Sequence, residues 1–330
     1  MMKRNSFHNA AALLLTAAMT VGIFTGCGSS GGGGGGKGLK ILYTTTTLDD
    51  FRNLLLEGIK SAASAEGVTL DVMEECSTVD QQVAQVKQAQ EQGYDAVICL
   101  PNDPSTALQL EVVAGDMPIV FVNSKPSSDH LEADKYMYVG SKEGDAGTFQ
   151  AEYVYNKLGN PSSFNALIFQ GEPGHTASLG RTSAVVQYFK DKGVNANFVF
   201  NDTAYWTDTQ AEERFDIFLK TNQDFDAVFC NNDTMAVGIV NAFKKHGFST
   251  QDIPICGVDA TAAGCQSIVD GGMQFTVYQS ASGQGEMSVK TAIALATKGT
   301  AKGLDGLDDT GTIVWVPFEP VDASNVKNYM

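Results

Sequence analysis

Nine side chains that could hold a small polar molecule follow short apolar runs of the sequence. Most are Asp, Asn, Gln, His or Arg, which exchange hydrogen bonds in fixed planes, whereas Phe51 and Trp206 offer flat apolar faces. A pyranose ring has C–H patches on its faces and hydroxyls around its rim, so this combination suits such a ring. The candidate ligand-binding residues are Asp49, Phe51, Asn123, His175, Arg181, Trp206, Asn232, Asp259 and Gln279.

Several of these residues have an equally simple structural interpretation. Asp49 is as well placed to cap a helix beginning near Phe51 as to contact a ligand, and Phe51 suits a hydrophobic core equally well. Asn123 and Asp259 can hold turns, although their matched positions in a repeat, described below, favour a site.

The other candidates also carry alternatives. Arg181 can pair with a surface acid, which the sequence alone favours. Asp233 is expected to cap its own helix, leaving Asn232 to reach the ligand. Trp206 lies in the polar run NDTAYWTDTQ and is not expected in a core. The segment GEPGH (171–175) lacks the lysine and threonine of a P-loop, so phosphate binding is a weak interpretation.

Short apolar runs alternate with segments of helical period. Phe51, Leu54, Leu55 and Ile59 begin one helical stripe, and a second helix starts at the capping box 78–81 and stops at Gly93. Such alternation predicts an α/β fold with parallel sheets covered by helices on both faces. The predicted strands are 39–43, 68–74, 95–100, 118–122, 165–169, 197–200, 226–230, 254–258, 274–278 and 313–316.

One stretch of the chain occurs twice. DAVICLPND (95–103) matches DAVFCNND (226–233), and the next strands, PIVFVN (118–123) and PICGVD (254–259), match as well. Repetition of two successive strands with their polar ends predicts two lobes of one design. Because ligands gather at the carboxyl ends of parallel strands, we expect the polar turns of both lobes to line a single cleft.

Charge and cysteine content exclude several classes of protein. The first 26 residues hold two basic and no acidic side chains, so the net charge of −16 becomes −18 without them. This surface repels phosphate backbones, so no nucleic-acid partner is expected. The five cysteines after Cys27 form no C-x-x-C pair and no histidine pair has zinc spacing, which predicts buried free thiols and no metal site.

The N-terminus has the features of an export signal. Lys3 and Arg4 precede an apolar run of about 15 residues, too short for a bilayer span of roughly 20. IFTGC (23–27) resembles the lipobox of bacterial lipoproteins, so 1–26 is predicted to be removed and Cys27 lipidated, with secretion in soluble form as the alternative. The glycine-rich segment 27–38 is expected to be a flexible tether.

Several segments, taken in order, resemble one known family. These are PIVFVNSKPS (118–127), GEPGH with Arg181 six residues on, DTAYWTDTQA (202–211), NNDTMAVG (231–238), GVDA (257–260) and VPFEPVD (316–322). The chain from about 39 to 322 is similar to the periplasmic galactose/glucose-binding proteins, in the ribose/galactose class of substrate-binding proteins that serve ABC transporters.

The resemblance implies the type I periplasmic binding protein fold: two Rossmann-like, doubly wound lobes joined by a three-segment hinge. The N-terminal lobe would comprise 39–141 with 280–316, and the C-terminal lobe 142–279 with 317–330. By position, Phe51 and Trp206 would stack on the two faces of a monosaccharide. Asp49 would accept from its 4-hydroxyl region, and His175 would reach the exocyclic hydroxyl. The remaining ring hydroxyls would be held by Asn123, Arg181, Asn232 and Asp259.

Three departures from the family pattern bear on the ligand, and a fourth bears on calcium. Ala177 stands where the family has an aspartate near the anomeric hydroxyl, Ser124 replaces a lysine, and Gln279 replaces an asparagine at the rim of the site. A lost charge-assisted hydrogen bond is worth about 1.5–3 kcal/mol, so the sugar and its anomer stay open, as does the acceptance of glycosides. The family's calcium loop corresponds to NKLGNPSSFN (156–165), which has no carboxylate, so no calcium is expected.

These observations predict a non-enzymatic, cofactor-free, monomeric receptor. It would be lipid-anchored on the outer face of the cytoplasmic membrane and would deliver a galactose- or glucose-like hexose to an ABC permease. A sugar sensor that docks on a chemoreceptor or kinase is the first alternative. A secreted glycosidase would need Asp49 and Asp259 at catalytic separation, and a repressor core would need a DNA-binding helix pair where this chain has an export signal.

Overall fold

The computed structural model describes residues 38–330. The predicted export signal, Cys27 and the tether as far as residue 37 lie outside the described residues. Twelve strands and nine α-helices are found in the described part of the chain. The strands are β1 (Lys40–Thr44), β2 (Thr69–Val72), β3 (Ala96–Cys99), β4 (Ile119–Val122), β5 (Tyr136–Gly140), β6 (Ser163–Gln170), β7 (Asn195–Thr203), β8 (Ala227–Cys230), β9 (Ile255–Cys256), β10 (Phe275–Gln279), β11 (Ile313–Trp315) and β12 (Phe318–Asp322). The helices are α1 (Asp50–Glu66), α2 (Val79–Glu91), α3 (Ala107–Ala114), α4 (Glu143–Lys157), α5 (Thr176–Asp191), α6 (Asp208–Leu219), α7 (Asp233–His246), α8 (Ala262–Val269) and α9 (Ala281–Lys298).

The strands form two six-stranded sheets. The first has the order β11-β5-β4-β3-β1-β2 with every pair parallel, and the second has the order β12-β10-β9-β8-β6-β7. Only β12 runs antiparallel to its neighbour. The predicted two-lobed, doubly wound α/β fold is therefore confirmed, with an antiparallel edge strand added to the second sheet.

Helices cover both faces of each sheet. In the first lobe α1 and α9 pack on one face and α2 and α3 on the other. In the second lobe α4 and α5 cover one face, and α6, α7 and α8 cover the other. Because β3, β4 and β8 are fully buried between these layers, their residues are apolar on both faces rather than alternating.

Ten of the strands were predicted, and two were not. β5 is a buried inner strand, and β12 contains Pro320, which cannot donate to a neighbouring strand and is tolerated because β12 lies at the sheet edge. The predicted capping box at Thr78 and Gln81 is present at the start of α2. In α1, however, Leu54 is exposed, while Arg52 lies on the buried face instead.

The chain passes between the two sheets three times, between β5 and α4, between β10 and α9, and between β11 and β12. These passages bring the carboxyl ends of both sheets to a common cleft. The five cysteines of the described region are buried and free.

Helices α1 and α9 pack unusually closely beside the second passage. A Cβ atom added to Gly285 would lie 2.6 Å from the backbone carbon of Gly58 and 2.6 Å from the backbone nitrogen of Ile59. No real Cβ tolerates such distances to main-chain atoms, so the absence of a side chain at this position sets the separation of the two helices.

We predict that Gly285→Ala lowers the free energy of unfolding by about 1–2 kcal/mol, because overpacking outweighs the gain in helix propensity. Gly144→Ala in α4 is the matched control, since its nearest neighbour, the Ala184 Cβ, would lie at 3.9 Å. Urea denaturation followed by circular dichroism measures both. Equal midpoints for the two variants would contradict the prediction.

Candidate functional site

The predicted site residues all lie at the carboxyl ends of strands or in the helix turns that follow them. Asp49 and Phe51 follow β1, and Asn123 follows β4, all in the first lobe. The second lobe supplies the other six, which are His175 and Arg181 after β6, Trp206 after β7, Asn232 after β8, Asp259 after β9 and Gln279 at the end of β10. Parallel strands within each sheet place these ends at one edge, where the two lobes meet.

One cavity of about 330 Å³ brings all nine residues together. Phe51 reaches it from the first lobe and Trp206 from the second. Ala177 and Arg52 complete its lining.

Backbone strain accompanies three of the cavity residues. Asn123 has φ 63° and Asp259 has φ 118°, so each of the two matched strands of the repeat is followed by a residue with positive φ. Asn and Asp tolerate positive φ better than other non-glycine residues do. Trp206 has φ 66°, which is costly for a bulky residue by about 1–3 kcal/mol. Strain of this size at a cavity wall is typical of a functional residue.

Trp206 is held against the floor of the site by Gly171. A Cβ on Gly171 would overlap the indole ring, so only glycine lets the ring lie there. His175 meets the same ring edge-on, with a centroid separation of 5.3 Å. Contrary to the sequence-based expectation, Trp206 is 9% exposed and packs with the core of the second lobe while also facing the cavity.

Arg181 is the centre of a buried hydrogen-bond network. Its Nε donates to Glu143 Oε2 at 2.7 Å, its Nη1 to the Asn231 carbonyl at 2.5 Å, and its Nη2 to Gln279 Oε1 at 3.0 Å. Its guanidinium also lies 3.8 Å from Asp259 Oδ1. The expectation of a surface ion pair was therefore wrong, since Arg181 is 3% exposed and Glu143 is also enclosed.

The roles of Asn232 and Asp233 differ from those expected. Asn232 is the N-cap of α7, accepting from the backbone of Met235, and it also lines the cavity. Asp233 is fully buried behind it and accepts hydrogen bonds from Thr276 Oγ1 at 2.5 Å and from the Thr261 backbone at 2.7 Å. The prediction that Asp233 caps α7 was wrong, because its carboxylate accepts hydrogen bonds from these two threonines instead.

Asp49 combines the two functions that the sequence left open. Its Oδ1 accepts from the backbone nitrogen of Arg52 at 2.7 Å, so it caps α1. Its side chain also lines the cavity. Phe51 likewise belongs to the core of the first lobe and contributes to the cavity wall.

Three nitrogens in residues that line the cavity are buried and have no hydrogen-bond partner within residues 38–330. They are His175 Nε2, Trp206 Nε1 and Gln279 Nε2. His175 Nδ1 accepts from the backbone of Ala177 at 3.2 Å, so the imidazole hydrogen is on Nε2. The second lobe therefore holds three buried N–H donors without a partner among the described residues, all in residues that line the cavity.

The carboxylates of Asp49 and Asp259 also line the cavity. Burial raises the pKa of Asp259 well above its ordinary value, and repulsion from Asp233 adds to that rise while Arg181 opposes it. Burial also raises the pKa of Asp233. A ligand hydroxyl that donates to Asp259 would stabilise its carboxylate. Together with the N–H donors, this matches groups that both give and accept hydrogen bonds, as hydroxyls do.

Arg52 and Glu143 were not singled out from the sequence. Position 52 falls three residues before Leu55 and seven before Ile59, on the buried stripe of α1. A charged residue at an apolar position of this repeat was the sequence feature that could have pointed to Arg52. No local pattern pointed to Glu143, which is paired only because the fold brings α4 against α5.

Two further findings concern the described region as a whole. Within residues 38–330 no helix is both long and apolar enough to span a bilayer. In the same region no three His, Cys, Asp or Glu side chains cluster in a way that could hold a metal ion.

Comparison with known proteins is consistent with this architecture. Residues 41–301 match the model of the periplasmic binding protein domain. The "Putative rhizopine-binding protein" of Rhizobium meliloti is 30% identical over 85% of this chain and 89% of its own length. The D-galactose/methyl-galactoside binding periplasmic protein of Haemophilus influenzae is 26% identical over 86% of this chain and 88% of its own. An ABC transporter solute binding protein from Bacillus halodurans, solved with bound myo-inositol, superposes with a TM-score of 0.79, 27% identity, and coverage of 89% and 98%.

The buried imidazole generates a prediction about pH. Burial, aided by the charges of Arg52 and Arg181, lowers the pKa of His175 from 6.5 to about 3. Below pH 6.5 the unfolded chain therefore binds a proton that the folded chain does not, and stability falls as the pH drops from about 6.5 towards 3.

We predict that His175→Gln makes the free energy of unfolding fall less steeply over this window, by up to about 1.4 kcal/mol per pH unit. Urea titrations at several pH values between 6.5 and 4 measure the slope. His246→Gln is the control, because the His246 ring lies at the surface, 2.7 Å from Asp216, rather than in a buried site. An unchanged slope for His175→Gln would show that the imidazole takes up its proton while the chain is folded.

Proposed function

We propose that this chain binds a hexose of the galactose or glucose type. The chain belongs to the periplasmic binding protein family and is an extracytoplasmic, sugar-binding substrate-binding protein of an ABC transporter. Its relatives are solute-binding transport proteins rather than enzymes. The ligand would be captured between the lobes and delivered by the monomeric receptor to its permease.

The observation that carries the proposal is the composition of the cavity. Two aromatic side chains from opposite lobes and eight polar ones line the same cavity. Among the described residues, its buried, unpartnered groups are three N–H donors, and the carboxylates of Asp49 and Asp259 add acceptors to the lining. A neutral ring with hydroxyls around its rim satisfies both kinds, whereas a flat aromatic ligand would leave them unpaired in a dry site, at a cost of about 1–3 kcal/mol each.

A cyclic polyol such as myo-inositol is the second candidate. Ala177 lines the cavity where the galactose/glucose-binding pattern has a carboxylate directed at the anomeric hydroxyl. A cyclitol has no anomeric hydroxyl, so a cyclitol-binding protein does not need a carboxylate at the position of Ala177. The Bacillus halodurans structure with bound myo-inositol is a relative at 27% identity, which supports the same alternative.

We further propose that the lobes move as units, with 39–141 and 280–316 in one and 142–279 and 317–330 in the other. Contacts to the ligand from both sides would favour the closed arrangement, because only that arrangement allows all of them at once. The permease would then recognise the closed lobes.

Calorimetric titration of the mature protein tests the ligand. We expect D-galactose, D-glucose or a close epimer to bind, and Trp206→Ala to weaken that binding tenfold or more through loss of the stacking surface. Tyr205→Ala is the matched control, since Tyr205 is exposed and does not line the cavity. Heat from myo-inositol alone would replace the hexose with the cyclitol. The absence of heat from D-galactose, D-glucose, D-ribose, D-allose and myo-inositol would remove the proposal.

We propose, finally, that a lipid on Cys27 anchors the protein on the outer face of the cytoplasmic membrane. Replacement of Cys27 by Ser removes the thiol that carries the acyl chains, so the variant should move from the membrane fraction to the soluble extracytoplasmic fraction. Ser29→Ala is the control and should stay with the membrane. Fractionation and immunoblotting measure the distribution, and membrane retention of the Cys27 variant would contradict the anchor.

A further inference from the structure

Arg52 is a charged residue in a position that the helix pattern reserves for an apolar one. It lies on the buried stripe of α1, and its side chain is 8% exposed. Burying a guanidinium is costly unless its N–H groups are paired. The carbonyl oxygen of Thr47 accepts one of them, from Nη1, at 3.0 Å. The other N–H groups of the Arg52 guanidinium therefore need partners as well.

Those contacts point to two different parts of the cleft. Arg52 Nε lies 3.4 Å from Asp49 Oδ2, in the same lobe, and Arg52 is itself part of the cavity wall. Arg52 Nη2 lies 3.5 Å from Glu172 Oε2, which belongs to the second lobe. One guanidinium thus touches a predicted ligand-binding carboxylate and the opposite lobe.

Glu172 is positioned to move together with the second lobe. It follows β6 and lies three residues before the cavity residue His175, whose backbone nitrogen donates to the Glu172 carbonyl at 3.3 Å. The loop that carries Glu172 therefore moves with the histidine that faces the cavity. Separation of the lobes would carry Glu172 away from Arg52.

This contact differs in kind from other contacts between the lobes. The backbone nitrogen of Lys125 donates to Thr176 Oγ1 at 3.2 Å, and Thr234 Oγ1 donates to Asp50 Oδ2 at 3.3 Å. Both involve a neutral hydroxyl. Among residues 38–330, Arg52 with Glu172 is the one ion pair whose partners come from different lobes.

We propose that Arg52 and Glu172 form an electrostatic latch across the cleft, and that Arg52 is a positioning residue that links closure to Asp49. When the lobes part, Arg52 keeps Asp49 and the Thr47 carbonyl, so its charge stays paired and the open state remains accessible. When they close, Glu172 adds its attraction and slows reopening. The inference rests on the proposed function, because it concerns how a captured ligand is retained.

The latch predicts an effect on dissociation rather than on ligand choice. Glu172→Gln should raise the ligand dissociation rate about threefold, as expected for a half-exposed ion pair, with an association rate within twofold of the parent. The effect should be the same for every sugar or cyclitol that binds, and it should shrink at high salt. Glu57→Gln is the matched control, because Glu57 pairs with Lys60 on the exposed face of the same helix.

Stopped-flow binding with the parent, Arg52→Gln, Glu172→Gln and the double variant completes the test. Arg52→Gln should cost more than Glu172→Gln, because Asp49 also loses its neighbour, and adding Glu172→Gln to it should have no further effect. Two single effects that multiply in the double variant would show that the residues act independently and would overturn the latch.

A scattering measurement separates this inference from the proposed ligand. Without added sugar, small-angle X-ray scattering of Glu172→Gln should shift towards the more extended form relative to Glu57→Gln. Identical scattering curves and dissociation rates for these two variants would overturn the latch. Failure of the hexose proposal would instead appear as absent hexose binding by the parent protein.

Discussion

The buried guanidinium of Arg181 is the interaction on which the second lobe's half of the cleft depends. It joins the first turn of α4, the end of β8 and the end of β10 through hydrogen bonds to Glu143, Asn231 and Gln279. Burial raises the pKa of Glu143, and the attraction of Arg181 opposes that rise. Removal of either partner would leave an uncompensated charge in a dry site, at a cost of about 3–5 kcal/mol. Since Arg181 occupies the Gln279 oxygen, the amide nitrogen of Gln279 stays free for the cavity.

The duplicated architecture explains why polar groups from distant parts of the chain converge. Each sheet presents its carboxyl ends to the other, and the matched strands β4 and β9 both end in a residue with positive φ. The acidic surface and the nearly charge-balanced cavity then serve different purposes. The surface charge favours solubility, whereas the ligand proposed for the cavity is a neutral polyol.

Local rules predicted elements better than they predicted roles. The capping box at Thr78 and the apolar strands depend on neighbours in sequence, and the capping box and all ten predicted strands are present. The choice between Asn232 and Asp233 as helix cap depended instead on Thr261 and Thr276, which are far away in the sequence. Likewise, the sequence favoured a surface partner for Arg181, but the packing of α4 on α5 supplied a buried one. Propensity cannot decide such cases, because the competing donors come from other elements.

The amino-acid sequence by itself determined the α/β class, the two-lobed repeat and the membership of the nine cavity residues, since strand periodicity and the rule that ligands collect at carboxyl strand ends are local and general. The tertiary structure alone decided which polar atoms of the described residues form hydrogen bonds within the protein and which have no protein partner there. It also decided that Arg52, next to Phe51 in sequence, faces Glu172 of the other lobe. The physical reason is that hydrogen bonds and ion pairs are settled by distances of a few ångströms between elements, and no pattern along one element encodes those distances.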